Sequence, residues 1–281
     1  MNNRTNSTER VALVISDIDG TLLDDQKHLT PGAPAAVQRL YAAGVRFTLA
    51  SARPPRMVRE LIQALDVREP YACFNGALIV GEGESVLRKC PMAPADAQKA
   101  ADRILQRGFD LWVWTDTDWF VTNLSGPHLE RHEEEMGRMA TLLTNRDLAH
   151  FDVLKLVGVS DDHAALAAAE QEFHNLPVTG LSATRSSPYY LDVTAAAANK
   201  GAVVQAVSEL LHIPTQQIAT IGDMITDTLM FRRSGVSIAM GNAFDNVKAV
   251  AKFVTRSNEQ DGLAYAIDTF VLDGQARPAA S

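Results

Sequence analysis

Residues 11–23 constrain the fold of this chain more than any other stretch. Their first half is an apolar run, and their second half places Asp17 and Asp19 directly before Gly20 and Thr21. A short β-branched run that ends at turn residues is typical of a buried strand in a parallel sheet. Polar groups just after such a strand lie at its carboxyl end, where open α/β sheets bind their ligands. We therefore expect a ligand site at this turn.

Two carboxylates this close repel each other, and a hard cation with oxygen ligands is their natural partner. An EF-hand loop does not fit, because Gly20 comes too early and no glutamate closes a twelve-residue loop. The alternative is a solvated turn, since Asp-Gly pairs are common in turns. The choice between a metal site and a simple turn therefore depends on what the rest of the chain supplies.

Length, charge and cysteine content narrow the class of protein. A chain of 281 residues can form two domains, and a formal net charge of −8 argues against a nucleic-acid-binding surface. Residues 1–10 lack an apolar signal core, no run is long enough to span a membrane, and two cysteines are too few for a disulfide framework. We expect a cytoplasmic protein that binds neither nucleic acid nor membrane, with a disordered Pro/Ala-rich tail at 275–281.

The order of expected elements divides the chain into two units. Strands and helices alternate up to about residue 82 and again from about residue 192, which predicts a doubly wound, Rossmann-like parallel sheet of the α/β class. Residues 83–191 mix hairpins with helices, which is typical of an α+β unit. We predict a core of residues 1–82 and 192–281 and an inserted α/β cap domain of residues 83–191.

Polar side chains follow five of the expected core strands: Asp17 and Asp19, Ser51, Asn75, Asp223 and Asp227, and Asn242. The strand ends of a doubly wound sheet meet at one crevice, and Lys200 starts a helix between them in the sequence. Carboxylates hold Mg²⁺, and a lysine and Mg²⁺ together neutralise charge on a transferred phosphoryl group. An aspartate can also attack phosphorus and form an aspartyl-phosphate. The residues therefore predict a site for phosphoryl chemistry.

This ordered set resembles the haloacid dehalogenase (HAD) superfamily, and within it the Cof-type phosphatase branch, over nearly the whole chain. Four motifs carry the resemblance: Asp17-Ile-Asp-Gly-Thr21 for DxDGT, Ser51 at the end of the second strand, Lys200 at a helix start, and Gly222-Asp-Met-Ile-Thr-Asp227 for GDxxND. Gly241-Asn-Ala243 and Asp261-Gly262 also stand where the branch has GNA and DG. DxDG alone is moderate evidence, whereas the ordered set at these spacings is strong.

The resemblance implies a role for each matched residue. Asp17 is the expected nucleophile, and Asp19 is the expected acid and base. The expected metal ligands for Mg²⁺ are Asp17, the main-chain carbonyl of Asp19, and Asp223, with Thr226 and Asp227 supporting them. The expected phosphate-binding residues are Ser51, Lys200, Asn242, Arg53 and Asn75.

Two positions depart from the pattern of the branch. Ser51-Ala52-Arg53 replaces the usual Thr-Gly-Arg, and a serine hydroxyl can still donate a hydrogen bond. Thr226 replaces the asparagine of GDxxND, which keeps a hydroxyl but loses an amide donor and some reach. The second change is expected to weaken a contact near the metal and to leave both aspartates in place.

The resemblance implies a Mg²⁺-dependent phosphatase of small phosphorylated metabolites, sugar phosphates first among them, acting through an aspartyl-phosphate. A cap over the crevice excludes water and selects a small-molecule phosphate ester, and segments 116–118 and 186–190 are candidates to reach the site. Two alternatives stay open: a phosphomutase or other phosphotransferase on the same fold, and a weakly active regulatory protein that binds phosphoryl groups. The expected assembly is a monomer or a small homo-oligomer.

Overall fold

Strands and helices alternate in the first part of the computed structural model, which describes residues 10–175 and 180–273. The elements in this part are β1 (Leu13–Ser16), α1 (Ala33–Ala42), β2 (Arg46–Leu49), α2 (Pro55–Ala64), β3 (Tyr71–Cys73), β4 (Leu78–Val80) and β5 (Val86–Lys89). Every residue of β1 is buried, as its apolar sequence requires for a central strand covered on both faces. The expected tail at 275–281 lies outside the described residues.

The middle of the chain forms a separate sheet with helices on it. Its elements are α3 (Pro94–Gln106), β6 (Asp110–Trp114), β7 (Trp119–Val121), α4 (Leu129–Met136), β8 (Thr141–Leu142), β9 (Lys155–Val159), α5 (His163–Asn175), β10 (Leu181–Ser187) and β11 (Tyr190–Ala195). The six strands pair in the order β10-β11-β9-β6-β7-β8. We call this unit the cap.

The last part of the chain returns to the first sheet. Its elements are α6 (Lys200–Leu211), β12 (Ile218–Gly222), α7 (Thr228–Phe231), β13 (Val236–Ala239), α8 (Asp245–Lys248), β14 (Phe253–Val254) and α9 (Gly262–Ala266), followed by a π-helical stretch, Ile267–Leu272. None of the helices within 10–175 and 180–273 combines the length and the apolar character that crossing a membrane demands.

Five parallel strands form the core sheet, in the order β14-β13-β12-β1-β2. The chain enters at β1, moves outward to β2, and later fills the other side of β1 with β12 to β14. This is a doubly wound sheet, which confirms the predicted fold class. Because all five strands run the same way, the turns after β1, β2 and β12 lie at one edge of the sheet.

The third strand of the core departs from a simple parallel order. β3 meets the core sheet through one parallel bridge, Ala50 to Ala72, and otherwise pairs antiparallel with β4, which pairs with β5. The domain boundaries predicted at 82/83 and 191/192 stay a prediction. β5 belongs to this small sheet beside the core, and β11 continues in the cap sheet to Ala195. We propose to place the cap between β5 and α6.

The cap sheet has two different faces because side chains alternate along each strand. Leu111, Leu156 and Leu191 share the face that packs against α3 and α5. The opposite face carries Trp112 and Trp114 on β6, Lys155 on β9 and Asp192 on β11. Phe74 of the core contacts Trp114 at 5.8 Å between ring centroids, so this second face is turned towards the core.

Candidate active site

A cavity of about 660 Å³ lies between the carboxyl ends of the core strands and the cap. The core contributes side chains from the turns after β1 and β2 and from the start of α6, and the cap contributes α4, β9, β10 and β11. Predicted site residues that line the cavity are Asp17, Asp19, Ser51, Arg53, Asn75, Lys200 and Thr226. The structure thus brings together residues that lie up to 209 positions apart in the sequence.

Lys200 and two aspartates form a buried cluster on the core side. Asp17 and Lys200 are 4% and 3% exposed, and the Lys200 Nζ lies 2.7 Å from Asp17 Oδ1 and 2.5 Å from Asp227 Oδ1. Burial opposes the charge of Lys200, but the two carboxylates outweigh it and raise the pKa of its ammonium well above the usual range. Lys200 therefore stays charged beside the predicted nucleophile.

The turn after β12 brings a third carboxylate to this cluster. Asp223 Oδ1 accepts a hydrogen bond of 3.2 Å from the hydroxyl of Thr21, and the two loops pack closely at Gly20. Gly20 has φ of +72°, and a Cβ there would lie 2.5 Å from Asp223 Oδ2. Only glycine fits this position without strain or a clash. Gly20 therefore allows the turn after β12 to pack closely against the turn after β1.

Asp17, Asp223 and Asp227 place carboxylate oxygens within 4.8 Å of one another. Desolvation by burial raises the pKa of Asp17 well above its usual range despite Lys200, and burial together with Asp227 raises the pKa of Asp223 to about 6. Three buried carboxylates face one ammonium, so a divalent cation would supply the missing positive charge. The oxygen donors fit Mg²⁺.

The hydrogen bonds indicate which carboxylates would hold the metal. Asp227 accepts from the main-chain N–H groups of Asp223 and Met224 with Oδ2, and from Lys200 with Oδ1. These bonds occupy Asp227 as a support of the turn and leave Asp17 and Asp223 as the more available ligands. The Asp19 side chain lies outside the three-carboxylate cluster, so its predicted contribution through the main-chain carbonyl stays a prediction.

The raised pKa values predict a pH-dependent response to Mg²⁺. A carboxyl group whose pKa is raised in the folded protein makes the fold less stable as the pH rises. The loss begins near pH 4, the pKa of the group in the unfolded chain, and is complete above its pKa in the folded protein. Mg²⁺ binds the ionised form, so we expect saturating Mg²⁺ to raise the melting temperature by about 5 °C at pH 7.5 and by much less at pH 5. Scanning fluorimetry measures both shifts. A shift of equal size at both pH values, or one that survives in Asp223→Asn, contradicts the assignment.

Asp19 is held by two cations at the edge of the cavity. Arg53 donates to both of its oxygens, at 2.8 and 2.7 Å, and the Lys27 Nζ donates to Oδ1 at 2.8 Å. Burial alone would raise the pKa of Asp19, but the bonds from Arg53 and Lys27 outweigh it and hold that pKa well below the usual range. The predicted phosphate contact of Arg53 stays a prediction, because here its guanidinium binds Asp19.

Ser51 and Asn75 shape the turn beneath the cavity. The Ser51 hydroxyl accepts a hydrogen bond of 3.1 Å from the Arg53 main-chain N–H. The main-chain carbonyl of Ser51 accepts one of 2.8 Å from the Asn75 main-chain N–H. Asn75 is in the left-handed region with φ of 56°, which asparagine tolerates better than most residues. Both side chains line the cavity, so the structure places them where a phosphoryl group could be bound.

Asn242, like Asp223 and Asp227, lies outside the cavity lining, but its side-chain amide is bound to main-chain atoms and is not part of the carboxylate cluster, so the structure does not bring this predicted phosphate-binding residue into the site. Its amide donates to the Gly20 carbonyl at 2.9 Å and accepts from the Asn258 N–H at 3.0 Å. Because the donor and the acceptor of its amide are both bound to main chain, the Asn242 side chain supports the turn that carries the first motif.

Thr226 does line the cavity, in the short turn Ile225–Asp227.

Several cavity residues were not predicted from the sequence. Lys27 binds Asp19, and the cap contributes His132, Lys155, Arg185 and Asp192 among others. Of the two candidate cap segments, 186–190 lines the cavity at four positions, whereas Asp116 is absent from the lining and pairs with Lys89. A charged residue within an apolar strand, such as Lys155 or Asp192, is a signal that sequence reading could have used.

Comparison with known proteins agrees with this geometry. A family model described as haloacid dehalogenase-like hydrolase matches residues 14–267. The chain is 27% identical to the 5-amino-6-(5-phospho-D-ribitylamino)uracil phosphatase YwtE of Bacillus subtilis (strain 168), over 92% of this chain and 97% of that protein. It is 26% identical to a putative phosphatase of Streptococcus pyogenes, over 94% of this chain and 99% of that one.

Solved structures show the same architecture. The BT1666 phosphatase of Bacteroides thetaiotaomicron aligns with a TM-score of 0.79 and 26% identity, over 96% of this chain and 98% of that one. Another haloacid dehalogenase-like hydrolase of the same organism aligns with a TM-score of 0.81 and 22% identity, over 93% and 100% of the two chains, which supports the fold. From the motifs, the buried carboxylate cluster and the family match together, the chain belongs to the haloacid dehalogenase-like hydrolases, in their Cof-type branch.

Proposed function

We propose that this hydrolase of phosphate esters depends on Mg²⁺, acts on small phosphorylated metabolites, and works through an aspartyl-phosphate on Asp17. Sugar phosphates are the substrates that we favour. The observation that carries the proposal is the buried cluster in which Lys200 bridges Asp17 and Asp227 while Asp223 lies beside them. A solvated turn needs neither a buried lysine nor a third buried carboxylate, so the cluster favours catalysis over the simple turn.

Asp17 and Lys200 suit the first chemical step. An oxygen of Asp17 attacks phosphorus, and the bond from phosphorus to the leaving oxygen breaks. Lys200 is charged and buried beside Asp17, so it can stabilise negative charge on the phosphoryl oxygens without reorganising. Ser51 lies on the wall of the same cavity and can donate its hydroxyl proton to a phosphoryl oxygen.

Asp19 suits the proton transfers of both steps. It gives a proton to the leaving oxygen, then takes one from the water that attacks the phosphoryl group and frees Asp17. The bonds from Arg53 and Lys27 favour its ionised form, which is the form needed to accept that proton. For the first step Asp19 has to be protonated, so we propose that Arg53 turns from Asp19 to the phosphoryl group when substrate binds.

Asp17 and Asp223 would hold the metal, with the carbonyl of Asp19. When bound, Mg²⁺ supplies charge neutralisation of the phosphoryl oxygens and keeps Asp17 ionised. The chain itself provides the buried position, the fixed turn at Gly20, and the support that Asp227 gives to the turn after β12.

The cavity supports a small anionic substrate. Its lining includes eight basic side chains, Lys27, Arg53, Arg56, Arg59, Arg131, Lys155, Arg185 and Lys200, against six acidic ones, so the wall has a small excess of positive charge in a protein whose net charge is −8. Such local positive charge attracts phosphate esters. The cap restricts the cavity to about 660 Å³, a size that suits metabolites. The name of the B. subtilis relative describes a phosphorylated ribityl compound, which is of this size class.

A panel of phosphate esters tests the proposed function. We expect the purified protein to release inorganic phosphate from several small esters with Mg²⁺ and to release about a hundredfold less in EDTA. Adding an alcohol or sugar acceptor distinguishes a phosphatase from a phosphotransferase, because a phosphotransferase forms a new ester instead of free phosphate. No release from any ester would favour the regulatory binding protein, whose support is Thr226. The predicted cytoplasmic location and the predicted monomer or small homo-oligomer stay predictions.

A further inference from the structure

Buried polar atoms without hydrogen-bond partners concentrate in the cap. Within the described residues, the side chains that carry such an atom are Thr30, Trp114, Trp119, His132, Ser187 and Asp192. All of these except Thr30 lie in the cap. Buried polar groups normally have partners, so a group of five in one unit calls for an explanation.

Three of the five residues belong to the cavity wall. His132, Ser187 and Asp192 line the cavity that also contains Asp17 and Lys200. Asp192 is 4% exposed, and its Oδ1 has no partner while its Oδ2 accepts a hydrogen bond of 2.9 Å from the Lys155 Nζ. A buried carboxylate with one unused oxygen is costly unless a ligand donates to it. The torsion about Cβ–Cγ is soft, so a small rotation can present this oxygen to a ligand.

Lys155 and Asp192 are unusual residues for the sheet that holds them. They lie on neighbouring strands, β9 and β11, on the core-facing side, among Trp112, Trp114 and Val157. Lys155 is 7% exposed and also donates to the Ala52 carbonyl at 3.3 Å, next to Ser51. Apolar residues would fill this face at lower cost than a buried ion pair. The position of the pair on the cavity wall gives it a use that packing does not.

We propose that Asp192, Lys155 and Ser187, here called the cap subsite, bind neutral hydroxyl groups on the leaving group of the substrate. That these hydroxyl groups belong to the leaving group rests on the proposed phosphatase function, whereas their binding to the cap subsite does not. The cap subsite combines an acceptor on Asp192, an ammonium donor on Lys155, and a hydroxyl on Ser187 that can do both. A hydroxyl group is complementary to this set because it also donates and accepts.

The cap subsite is less suited to other leaving groups. The Lys155–Asp192 ion pair has no net charge, so a carboxylate or an ammonium group on the ligand would be attracted by one member of the pair and repelled by the other, and it would lose its hydration at a buried site. His132 adds no charge, because burial and the nearby Lys155 lower its pKa to about 3 and keep the imidazole neutral. An alkyl chain would leave the polar atoms of the cap subsite without partners, which strongly disfavours binding at a buried site. The chemistry therefore points to a polyol rather than to an acidic, amino or alkyl phosphate.

Binding of two matched ligands to the Asp17→Asn protein tests this inference. Glucitol 6-phosphate and n-hexyl phosphate share a six-carbon chain and a phosphate, and only the first carries hydroxyl groups. Calorimetry with Mg²⁺ is expected to show glucitol 6-phosphate binding at least about tenfold more tightly. Equal affinities, or no detectable binding of either ligand, would overturn the cap subsite. Selective binding by a protein whose wild type releases no phosphate would refute the phosphatase and keep the cap subsite.

Substitutions in the cap test whether the preference for glucitol 6-phosphate over n-hexyl phosphate arises at the cap subsite. In the same background, Asp192→Asn is expected to weaken glucitol 6-phosphate by about 10- to 100-fold and to leave n-hexyl phosphate within about twofold. Asp152→Asn, at an exposed cap carboxylate, is the control and should change neither affinity. Equal weakening of both ligands by Asp192→Asn would mean that Asp192 only supports the fold. If that variant does not fold, Ser187→Ala gives the same test: a loss confined to glucitol 6-phosphate supports the inference, and no loss overturns it.

Discussion

Replacing Asp17 by Asn is expected to lower the rate of phosphate release by at least about a thousandfold, because an amide cannot attack phosphorus as a carboxylate does. Asparagine has the same shape and keeps an oxygen for the Lys200 ammonium, which lies 2.7 Å from Asp17 Oδ1. We therefore expect near-UV circular dichroism to match that of the wild type. Mass spectrometry of acid-quenched enzyme should find a phosphoryl group on the Asp17 peptide in the wild type alone.

Asp245→Asn is the control for this prediction. Asp245 is an exposed residue in the first turn of α8, outside the cavity lining, so its replacement is expected to leave the rate unchanged. Wild-type turnover in Asp17→Asn would disprove the nucleophile assignment. A phosphoryl group found on another residue would move that assignment elsewhere in the site.

Replacing Lys200 by Met is expected to destabilise the protein by about 3–5 kcal/mol at neutral pH, because it leaves Asp17 and Asp227 buried without their ammonium partner. Methionine keeps the length of the side chain and is a good helix former, so the loss reports on charge. The same change removes a predicted phosphate-binding group, and phosphate release should fall with it. Urea unfolding in EDTA measures the free energy.

The loss in Lys200→Met should depend on pH with a definite sign. The Asp17 pKa is already raised by burial, and removing the lysine raises it further. As pH rises above about 4 the unfolded chain ionises first, so the variant loses stability with increasing pH and is closest to the wild type under acid conditions. Lys99→Met, at an exposed lysine of α3, is the control. A loss that is the same at pH 5 and pH 8 would mean that packing, and not charge, is responsible.

The core half of the site could be predicted because its residues lie in consecutive motifs at strand ends. A parallel sheet brings the carboxyl ends of its strands to one edge whatever the lengths of the connections, so Asp17 and Asp223 had to converge once the strands were recognised. Lys200 follows no core strand but begins α6, and the structure shows that it joins them. Their chemical roles are proposals that the substitutions above address. Asn242 shows the limit of this reasoning, because it stands in a motif position and yet binds main-chain atoms outside the cavity.

The cap half of the site could not be predicted in the same way. Lys155 and Asp192 are 37 residues apart, on strands whose pairing register places both on the face turned to the core. A shift of one residue in that register would turn either side chain to the opposite face. The contact of Lys155 with the Ala52 carbonyl depends further on how the cap packs against the core.

The sequence by itself determined the doubly wound sheet and the turn at residues 17–21, because apolar strands followed by turn residues are local patterns. The sequence showed Gly20 only as a turn residue, and the tertiary structure supplied the reason for it, because a Cβ there would clash with Asp223. Only the tertiary structure decided that Arg53 and Lys27 bind Asp19, and that an ion pair lies in the cap wall. Those contacts join distant segments, and their energies depend on burial, which a linear pattern does not contain.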